Sequence, residues 1–230
     1  MRLFKIHLNP RCKEARRDLG DPYQMHATLC RAFFPSDTPC PAGALLWRLE
    51  PETNRAGEPR VLIQARSVPD WSRIPATSWL AQAEPGIDLV PKLRLDALQP
   101  GQTFRFRLRA NPSRVMLGKR QGLMRTEEKL EWIARKAKQH GFALSASSRS
   151  VDFNDMLSPG TSAFSDIRIS GEELLKGRKS GGSVISVYSS LFDGILVVTN
   201  ADQFRIALET GIGHGKVLGL GLLSIAPLAR

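Results

Sequence analysis

The sequence contains little cysteine and no long apolar run, and each shortage argues against a class of protein. The three cysteines, Cys12, Cys30 and Cys40, are odd in number and unevenly spaced, which argues against a disulfide framework. No stretch reaches the ~18 consecutive apolar residues of a membrane-spanning helix. The first residues also lack the apolar segment of a signal peptide. We therefore expect a cytoplasmic protein with no membrane partner.

Several motifs of known chemistry are also missing. No Gly-x-Ser-x-Gly is present, and the glycine-rich run 211–224 lacks the Gly-Lys-Ser/Thr ending of a nucleotide-binding P-loop. Asp152 and Asp155 have no third carboxylate at ligand spacing, which argues against a two-metal nuclease. His26 and Cys30 are four residues apart, but no second Cys/His pair with ligand spacing completes a metal site. We therefore expect neither a metal nor a cofactor.

Positive charge is abundant and unevenly distributed. The formal net charge is +11, and residues 101–150 contain twelve lysines and arginines against three acidic residues. A positive field concentrated in about a fifth of the chain favours a polyanionic partner, most often nucleic acid. A basic protein with no such partner is the simpler alternative.

The hydrophobic periodicity predicts two successive β-α-β-β-α-β units, separated at Pro100-Gly101. This order is typical of the ferredoxin-like unit. We therefore expect an α+β protein with two tandem ferredoxin-like domains, residues 1–98 and 101–230. An open sheet of this kind is a recurring platform for RNA, although the aromatic submotifs of an RNA-recognition motif are missing.

The expected elements follow from alternation, caps and breakers. In the first unit they are a strand 3–9, a helix from Asp21-Pro22 to about Phe34, strands at 45–50 and 61–65, a helix 70–82 and a short strand 92–95. In the second they are a strand 104–110, a helix capped by Thr126, a hairpin of 184–191 and 195–199 turning at Asp193-Gly194, a helix 203–210 capped by Asp202, and a strand 217–225.

Arginines and apolar residues alternate in the first strand of the second unit. Phe104 and Phe106 are expected to point into the core, so that Arg105, Arg107 and Arg109 form the exposed face. Side chains two residues apart on a strand lie ~6.6 Å apart, a reach compatible with successive phosphates of a nucleic acid. A solvated sheet edge with no ligand would show the same pattern.

Tyr23 and His26 are candidates for catalysis because they lie three residues apart on the first predicted long helix. Metal-free RNA cleavage requires one group to deprotonate a 2′-hydroxyl and another to protonate the departing 5′-oxygen. Histidine, with an unperturbed pKa of ~6.5, suits proton transfer, whereas tyrosine at ~10 is a better donor or orienting group. Arg31, one turn beyond His26, is a candidate positive helper. Such a pair on a helix is more often structural.

Three motifs together carry a family resemblance. They are Tyr23-x-x-His26, the run Phe106-Arg-Leu-Arg-Ala-Asn-Pro112, and Gly211-Ile-Gly followed by Leu218-Gly-Leu-Gly-Leu-Leu-Ser-Ile-Ala-Pro227. With these motifs the sequence resembles, along its whole length, the CasE (Cse3) family of CRISPR repeat-RNA endoribonucleases, which are subunits of the Cascade complex.

The resemblance implies two ferredoxin-like folds and metal-independent cleavage of precursor CRISPR RNA within each repeat, at the base of its stem-loop. Attack by the 2′-hydroxyl would leave 5′-hydroxyl and 2′,3′-cyclic phosphate-type ends. The mature CRISPR RNA would stay bound, with other Cascade subunits as partners. The positions matching the catalytic ones are Tyr23 and His26. A non-catalytic subunit that binds structured RNA is the alternative.

The resemblance also implies which residues contact RNA. A basic hairpin in the second domain, placed around 168–179, would enter the groove of the RNA stem. Its basic residues are Arg168, Lys176, Arg178 and Lys179. Gly213, Gly215 and Lys216 would approach the RNA backbone. His214 receives no catalytic role, because relatives are expected to vary at its position.

Overall fold

The structure is a computed structural model that describes residues 1–35, 40–41, 43–145, 167–178 and 182–228. Its first half contains β1 (Arg2–Leu8), α1 (Lys13–Gly20), α2 (Pro22–Phe33), β2 (Leu45–Thr53), β3 (Pro59–Ala65), β4 (Leu80–Ala83), β5 (Ile87–Asp88) and α3 (Leu89–Leu93). Its second half contains β6 (Thr103–Ala110), β7 (Ser113–Met116), β8 (Lys119–Gly122), α4 (Thr126–Gln139), β9 (Phe142–Leu144), β10 (Arg168–Arg178), β11 (Val184–Val198), α5 (Ala201–Thr210) and β12 (Leu223–Pro227). Among these residues, no helix is long and apolar enough to cross a membrane.

The strand order of the two large sheets confirms the tandem ferredoxin-like fold. One sheet has the order β2-β3-β1-β4 and the other β10-β11-β6-β12, and neighbouring strands are antiparallel in both. In each sheet the first strand of the unit therefore lies between the third and the fourth. Strands β5 and β9 add to the sheets through β1 and β11, and β7 pairs with β8 in a separate hairpin.

Helix α2 packs on the first sheet as its sequence predicts. Asp21 caps the helix by accepting a hydrogen bond from the Tyr23 backbone N–H at 2.9 Å, and Pro22 occupies the first turn, where its missing N–H costs nothing. The apolar stripe is buried against β1, β2 and β3, and its members are Met25, Leu29, Ala32 and Phe33. Burial of this face fixes which residues of α2 remain available to a site.

The second core confirms the alternation predicted for β6. Phe104, Phe106 and Leu108 are buried beneath α4 and α5, where Phe104 stacks on Phe204 with ring centroids 6.4 Å apart. Leu95 and Leu98 pack in this same core, although the strands of the first sheet all precede residue 89. The domain division at residues 98–101 therefore remains a proposal.

Two predicted elements of the first unit are wrong. In place of a helix over 70–82, a 3-10 turn at Trp71–Arg73 is followed by β4. The residue before Pro75 is disfavoured in the helical region, and the indole of Trp79 is fully buried, donating to Asp18 Oδ2 at 2.8 Å. The predicted strand 92–95 is the end of α3 and the start of a 3-10 turn, since Asp88 caps a helix there.

The hairpin turn predicted at Asp193-Gly194 is also wrong, because β11 runs through it without interruption. Asp193 lies between Arg168 on β10 and Arg107 on β6, and its carboxylate accepts from Arg107 Nε at 2.7 Å. Pairing on both sides, with a cross-strand hydrogen bond, holds the segment extended. The turn-forming tendency of Asp-Gly is thus overridden by the sheet.

Helix caps and the last strand also differ from prediction. Asn200, not Asp202, caps α5, and Thr126 is already helical, with Arg125 at the cap position. The predicted strand 217–225 begins only at Leu223. A 3-10 turn at Lys216–Leu218 precedes it, because Gly219 and Gly221 have positive φ values of +75° and +89° that a strand does not allow.

A buried arginine joins the two sheets. The side chain of Arg48 on β2 is 1% exposed and pairs with Glu50 at 2.6 Å. Its Nη1 donates to the carbonyl oxygens of Arg107 at 3.1 Å and Leu222 at 3.0 Å, and its Nη2 donates to Ser224 Oγ at 3.0 Å. Apart from Glu50, all of these acceptors belong to the second half of the chain: Arg107 is on β6, Ser224 is on β12, and Leu222 directly precedes β12. The guanidinium therefore ties the first sheet to the second.

Arg48→Met should lower the free energy of unfolding by about 3–5 kcal/mol, the usual cost of removing one partner of a buried ion pair. The matched control is Arg66→Met, which breaks the Arg66–Glu209 pair at 2.9 Å, where the Arg66 side chain is 83% exposed. That exposed pair should contribute less than about 1 kcal/mol. Urea denaturation followed by circular dichroism measures both, and equal losses would contradict the assigned role of Arg48.

Candidate active site

Tyr23 lies where the second half of the chain covers the start of α2. A Cβ atom built on Gly177 of β10 would lie 2.5 Å from Tyr23 Cδ2 and 3.3 Å from Leu218 Cδ2. Only glycine lets the strand approach the ring so closely. The backbone N–H of Arg178 donates to Asp21 Oδ2 at 3.4 Å. The end of β10 therefore packs directly on the Tyr23 ring, and Leu218 lies against the same position of the strand.

The environment of Tyr23 favours the neutral phenol. Burial raises its pKa above the ordinary value, and the negative charge of Asp21 raises it further. The hydroxyl is therefore protonated at neutral pH. It can donate a hydrogen bond, but it is a poor base.

His26 is half-buried, one turn along the same helix. Its Nε2 lies 3.5 Å from Cys30 Sγ, and its Nδ1 is buried with no hydrogen-bond partner among the described residues. Cys40, from the segment after α2, completes a compact group in which the ring nitrogen and the two sulfurs lie within 4.8 Å of one another. The sequence spacing identified His26 and Cys30 but gave no sign of Cys40.

The two thiols of this group have unequal acidity. The pKa of Cys40 is lowered to about 5, because Cys30 donates a hydrogen bond to it and His26 adds a second one, against the opposing effect of burial. The same hydrogen bond, together with burial, raises the pKa of Cys30. Cys40 is therefore the more acidic of the two thiols. Cys12 is buried elsewhere, at the start of α1.

The glycine-rich loop forms one edge of a cationic cluster. Gly213 and Gly215 have φ values of +83° and +82°, and Lys216 follows directly. Burial lowers the pKa of His214, and neighbouring positive charges lower it further; the pKa of His140 is lowered in the same way. The cations responsible are Arg120, Lys136 and Lys216 for His214, and Lys136 and Lys216 for His140. An anion placed here would relieve their mutual repulsion.

Sequence reasoning identified Lys216, Gly213 and Gly215 but missed the rest of this cluster. Arg120 belongs to β8, whereas Lys136 and His140 lie at the end of α4. No local pattern links these three elements. The cluster exists only because the folded second half brings them beside the glycine-rich loop.

The predicted basic hairpin consists of β10 and the first part of β11. Arg168, Lys176 and Arg178 are exposed on β10, and Lys179 lies outside the described residues. The two acidic residues of this segment are engaged: Glu172 pairs with Lys129 at 2.6 Å and Glu173 with Arg109 at 3.1 Å. Neither of these acids therefore neutralises Lys176 or Arg178, which lie at the end of β10 nearest to α2.

Two of the three arginines of β6 are paired with carboxylates. Arg107 bonds to Glu50, Glu52 and Asp193, and Arg109 bonds to Glu173, so carboxylates neutralise both. Arg105 is exposed and, with Arg168, lines a pocket of about 290 Å³ beside Asp193.

Arg31, in the last turn of α2, is exposed. That any of the four arginines at positions 31, 105, 107 and 109 contacts RNA stays a prediction.

Comparison with known proteins identifies the family. The chain matches the family model described as CRISPR associated protein over residues 1–227. It is 38% identical over 231 residues to the CRISPR-associated endoribonuclease Cse3 of Thermus thermophilus, covering 99% of this chain and 100% of the relative. It is 27% identical to the Cascade subunit CasE of Escherichia coli, covering 93% and 96% of the two chains.

A comparison with a solved structure supports the same family. The structure of Thermus thermophilus Cse3 bound to an RNA representing a pre-cleavage complex superposes with a TM-score of 0.78 at 36% identity, covering 98% of both chains. The chain therefore belongs to the CasE (Cse3) family of CRISPR-associated proteins.

Proposed function

We propose that this protein is an endoribonuclease that cleaves precursor CRISPR RNA within the repeat, at the base of its stem-loop. It acts in the cytoplasm, keeps the mature CRISPR RNA and joins other Cascade subunits. One observation carries the proposal. Tyr23, one turn before His26 on α2, packs against Gly177 of the basic strand β10, in a chain that aligns over 99% of its length with a CRISPR endoribonuclease at 38% identity.

The reaction is an internal transesterification of the RNA and consumes no co-reactant. The 2′-oxygen attacks the neighbouring phosphorus as its proton leaves, the P–O5′ bond breaks, and the 5′-oxygen takes up a proton. The products are a 2′,3′-cyclic phosphate and a 5′-hydroxyl. We assign one of the two proton transfers to His26, because an imidazole exchanges protons near neutral pH. Tyr23, kept neutral, donates a hydrogen bond that orients the ribose or phosphate.

Two basic surfaces beside this pair account for binding. Lys176 and Arg178 lie at the end of β10 nearest to α2, and Arg168 lies at the other end of the strand. Lys179 follows Arg178 in the sequence and lies outside the described residues. We assign these residues to the RNA stem. The second surface is the cationic cluster at the glycine-rich loop, where we assign Lys216 and the backbone of Gly213 and Gly215, which turns with positive φ, to the RNA phosphates.

The arginines of β6 divide between binding and support. Arg105, which is exposed, and Arg31 on α2 are further candidate RNA contacts. Arg107 and Arg109 act chiefly through the carboxylates they bind, so we assign Arg107 to positioning the two sheets and Arg109 to holding β10 beside β6.

His26→Ala should lower the single-turnover cleavage rate of repeat RNA by about 10²–10⁴-fold, the usual contribution of a general acid or base. Stem-loop affinity should stay close to the wild-type value, because the basic surfaces are untouched. The assay uses EDTA throughout, with Gln24→Ala on the same helix as the matched control. Wild-type cleavage that stops in EDTA would contradict the metal-free mechanism. Cleavage that persists with a deoxyribose at the cut nucleotide would exclude 2′-hydroxyl attack.

Gly177→Ala should slow cleavage and leave RNA binding largely intact. The added Cβ would lie 2.5 Å from Tyr23 Cδ2, too close for two carbon atoms, and would therefore displace the Tyr23 ring. The matched control is Gly20→Ala, whose Cβ would meet nothing within 4 Å. Cleavage rate and dissociation constant are measured for both variants on the same RNA. A Gly177→Ala protein as fast as Gly20→Ala would show that the position of Tyr23 does not matter.

RNA affinity should rise as the pH falls. The pKa values of His140 and His214 are lowered in the free protein, and a bound phosphate favours their protonated forms, so binding takes up protons. Affinity for a cleavage-resistant RNA is measured from pH 7.5 to about 5.5, a range around the ordinary histidine pKa. Replacing both histidines with glutamine should flatten the profile, and an unchanged profile would exclude this cluster from the interface.

Lys216→Gln should reduce the slope of log affinity against log salt concentration by about 1, the effect of losing one phosphate contact. Lys92→Gln on α3 removes the same charge elsewhere and is the control. If the two variants give equal slopes, Lys216 does not contact the RNA backbone.

A further inference from the structure

The group formed by His26, Cys30 and Cys40 has the geometry of a metal site. His26 and Cys30 are four residues apart on α2 and therefore project from the same face, and Cys40 comes from the segment beyond the helix. The His26 Nε2 to Cys30 Sγ distance is 3.5 Å. A tetrahedral zinc ion, with Zn–N of ~2.05 Å and Zn–S of ~2.3 Å, requires an N···S separation of about 3.6 Å. This edge of the site already has the spacing of two zinc ligands.

The ligand chemistry selects a soft divalent cation. The group offers one imidazole nitrogen and two sulfurs and includes no carboxylate. Thiolate and imidazole ligands suit zinc, whereas magnesium and calcium prefer oxygen. Both cysteines are free and half-buried, so the ligand atoms are shielded but not sealed from solvent. Three protein ligands leave a fourth tetrahedral position for water or a phosphate oxygen.

We infer that His26, Cys30 and Cys40 form a binding site for Zn²⁺, and that zinc bound there blocks cleavage. Coordination through Nε2 removes the lone pair with which His26 accepts or returns a proton. Each cysteine binds the metal as a thiolate, so thiol protons are released to solvent as the metal–sulfur bonds form. The site is a consequence of geometry alone, whereas its inhibitory effect rests on the proposed catalytic role of His26.

Cobalt reports the site directly, because thiolate ligands give Co²⁺ intense charge-transfer absorption in the near ultraviolet. The full-length protein is stripped with a chelator, kept reduced with a phosphine and titrated with Co²⁺. We expect one equivalent bound with thiolate absorption, which Zn²⁺ then displaces. Cys30→Ser and Cys40→Ser should each lower the affinity by about 100-fold or more, since even outer-shell partners are worth ~10–100-fold. His26→Ala should weaken binding similarly.

Cys12→Ser is the matched control, because Cys12 is buried at the start of α1, where its thiol donates to Glu14 Oε2 at 3.2 Å. This variant should keep the full cobalt spectrum. Circular dichroism checks that each variant is folded. A wild-type protein without thiolate absorption, or folded Cys30→Ser and Cys40→Ser variants that retain it, would overturn the site.

Cleavage tests the consequence. Added Zn²⁺ should inhibit the wild-type protein, EDTA should restore its rate, and Cys40→Ser should cleave repeat RNA at the same zinc concentration. Zinc that binds yet leaves cleavage unchanged overturns the inhibitory role. A protein that never cleaves repeat RNA instead refutes the proposed function, and the metal site is then decided by the cobalt spectrum alone.

Discussion

The buried guanidinium of Arg48 is the constraint on which the arrangement of the two sheets depends. A charged group removed from water is tolerated only when acceptors surround it, and most of the acceptors of Arg48 lie on the other sheet. Rotating one sheet against the other would leave this charge without partners. Arg107 reinforces the arrangement by reaching back to Glu50 and Glu52. One relative orientation of the sheets therefore satisfies both arginines.

That orientation assembles the candidate active site. It brings Gly177 of β10 against Tyr23, and it brings Gly219 so close to Trp47 that a Cβ would lie 2.8 Å from the indole. The glycine-rich run therefore has two roles in the structure. Its first part, at Gly213 and Gly215, borders the cationic cluster, and Gly219 allows the chain to pack on β2. At positions 177 and 219 the backbone passes so close to an aromatic ring that only glycine fits, so these two glycines do not require a bound ligand to explain them.

The positions of the acidic residues divide the basic residues into two groups, one that is ion-paired and supports the fold and one that is available to bind a ligand. Carboxylates meet Arg48, Arg107 and Arg109, whereas Lys176, Arg178 and the residues around Lys216 lie beside α2 or the glycine-rich loop with their charge available. A count of basic residues in the sequence cannot separate these groups. Burial lowers the pKa values of His140 and His214, and the positive charges of Lys136 and Lys216 lower them further, a repulsion that a bound anion would offset.

The sequence by itself determined the features that depend on neighbours along the chain. The Asp21-Pro22 start of α2, its apolar stripe, the alternation on β6 and the i, i+3 placement of Tyr23 and His26 follow from helical and strand periods and from caps. Only the tertiary structure decided that Asp193 sits in a continuous strand, that Arg107 and Arg109 are ion-paired, and that Cys40 reaches His26. It also brought Arg120, Lys136 and Lys216 together. These outcomes depend on sheet pairing and on contacts between elements distant in sequence, which no local pattern encodes.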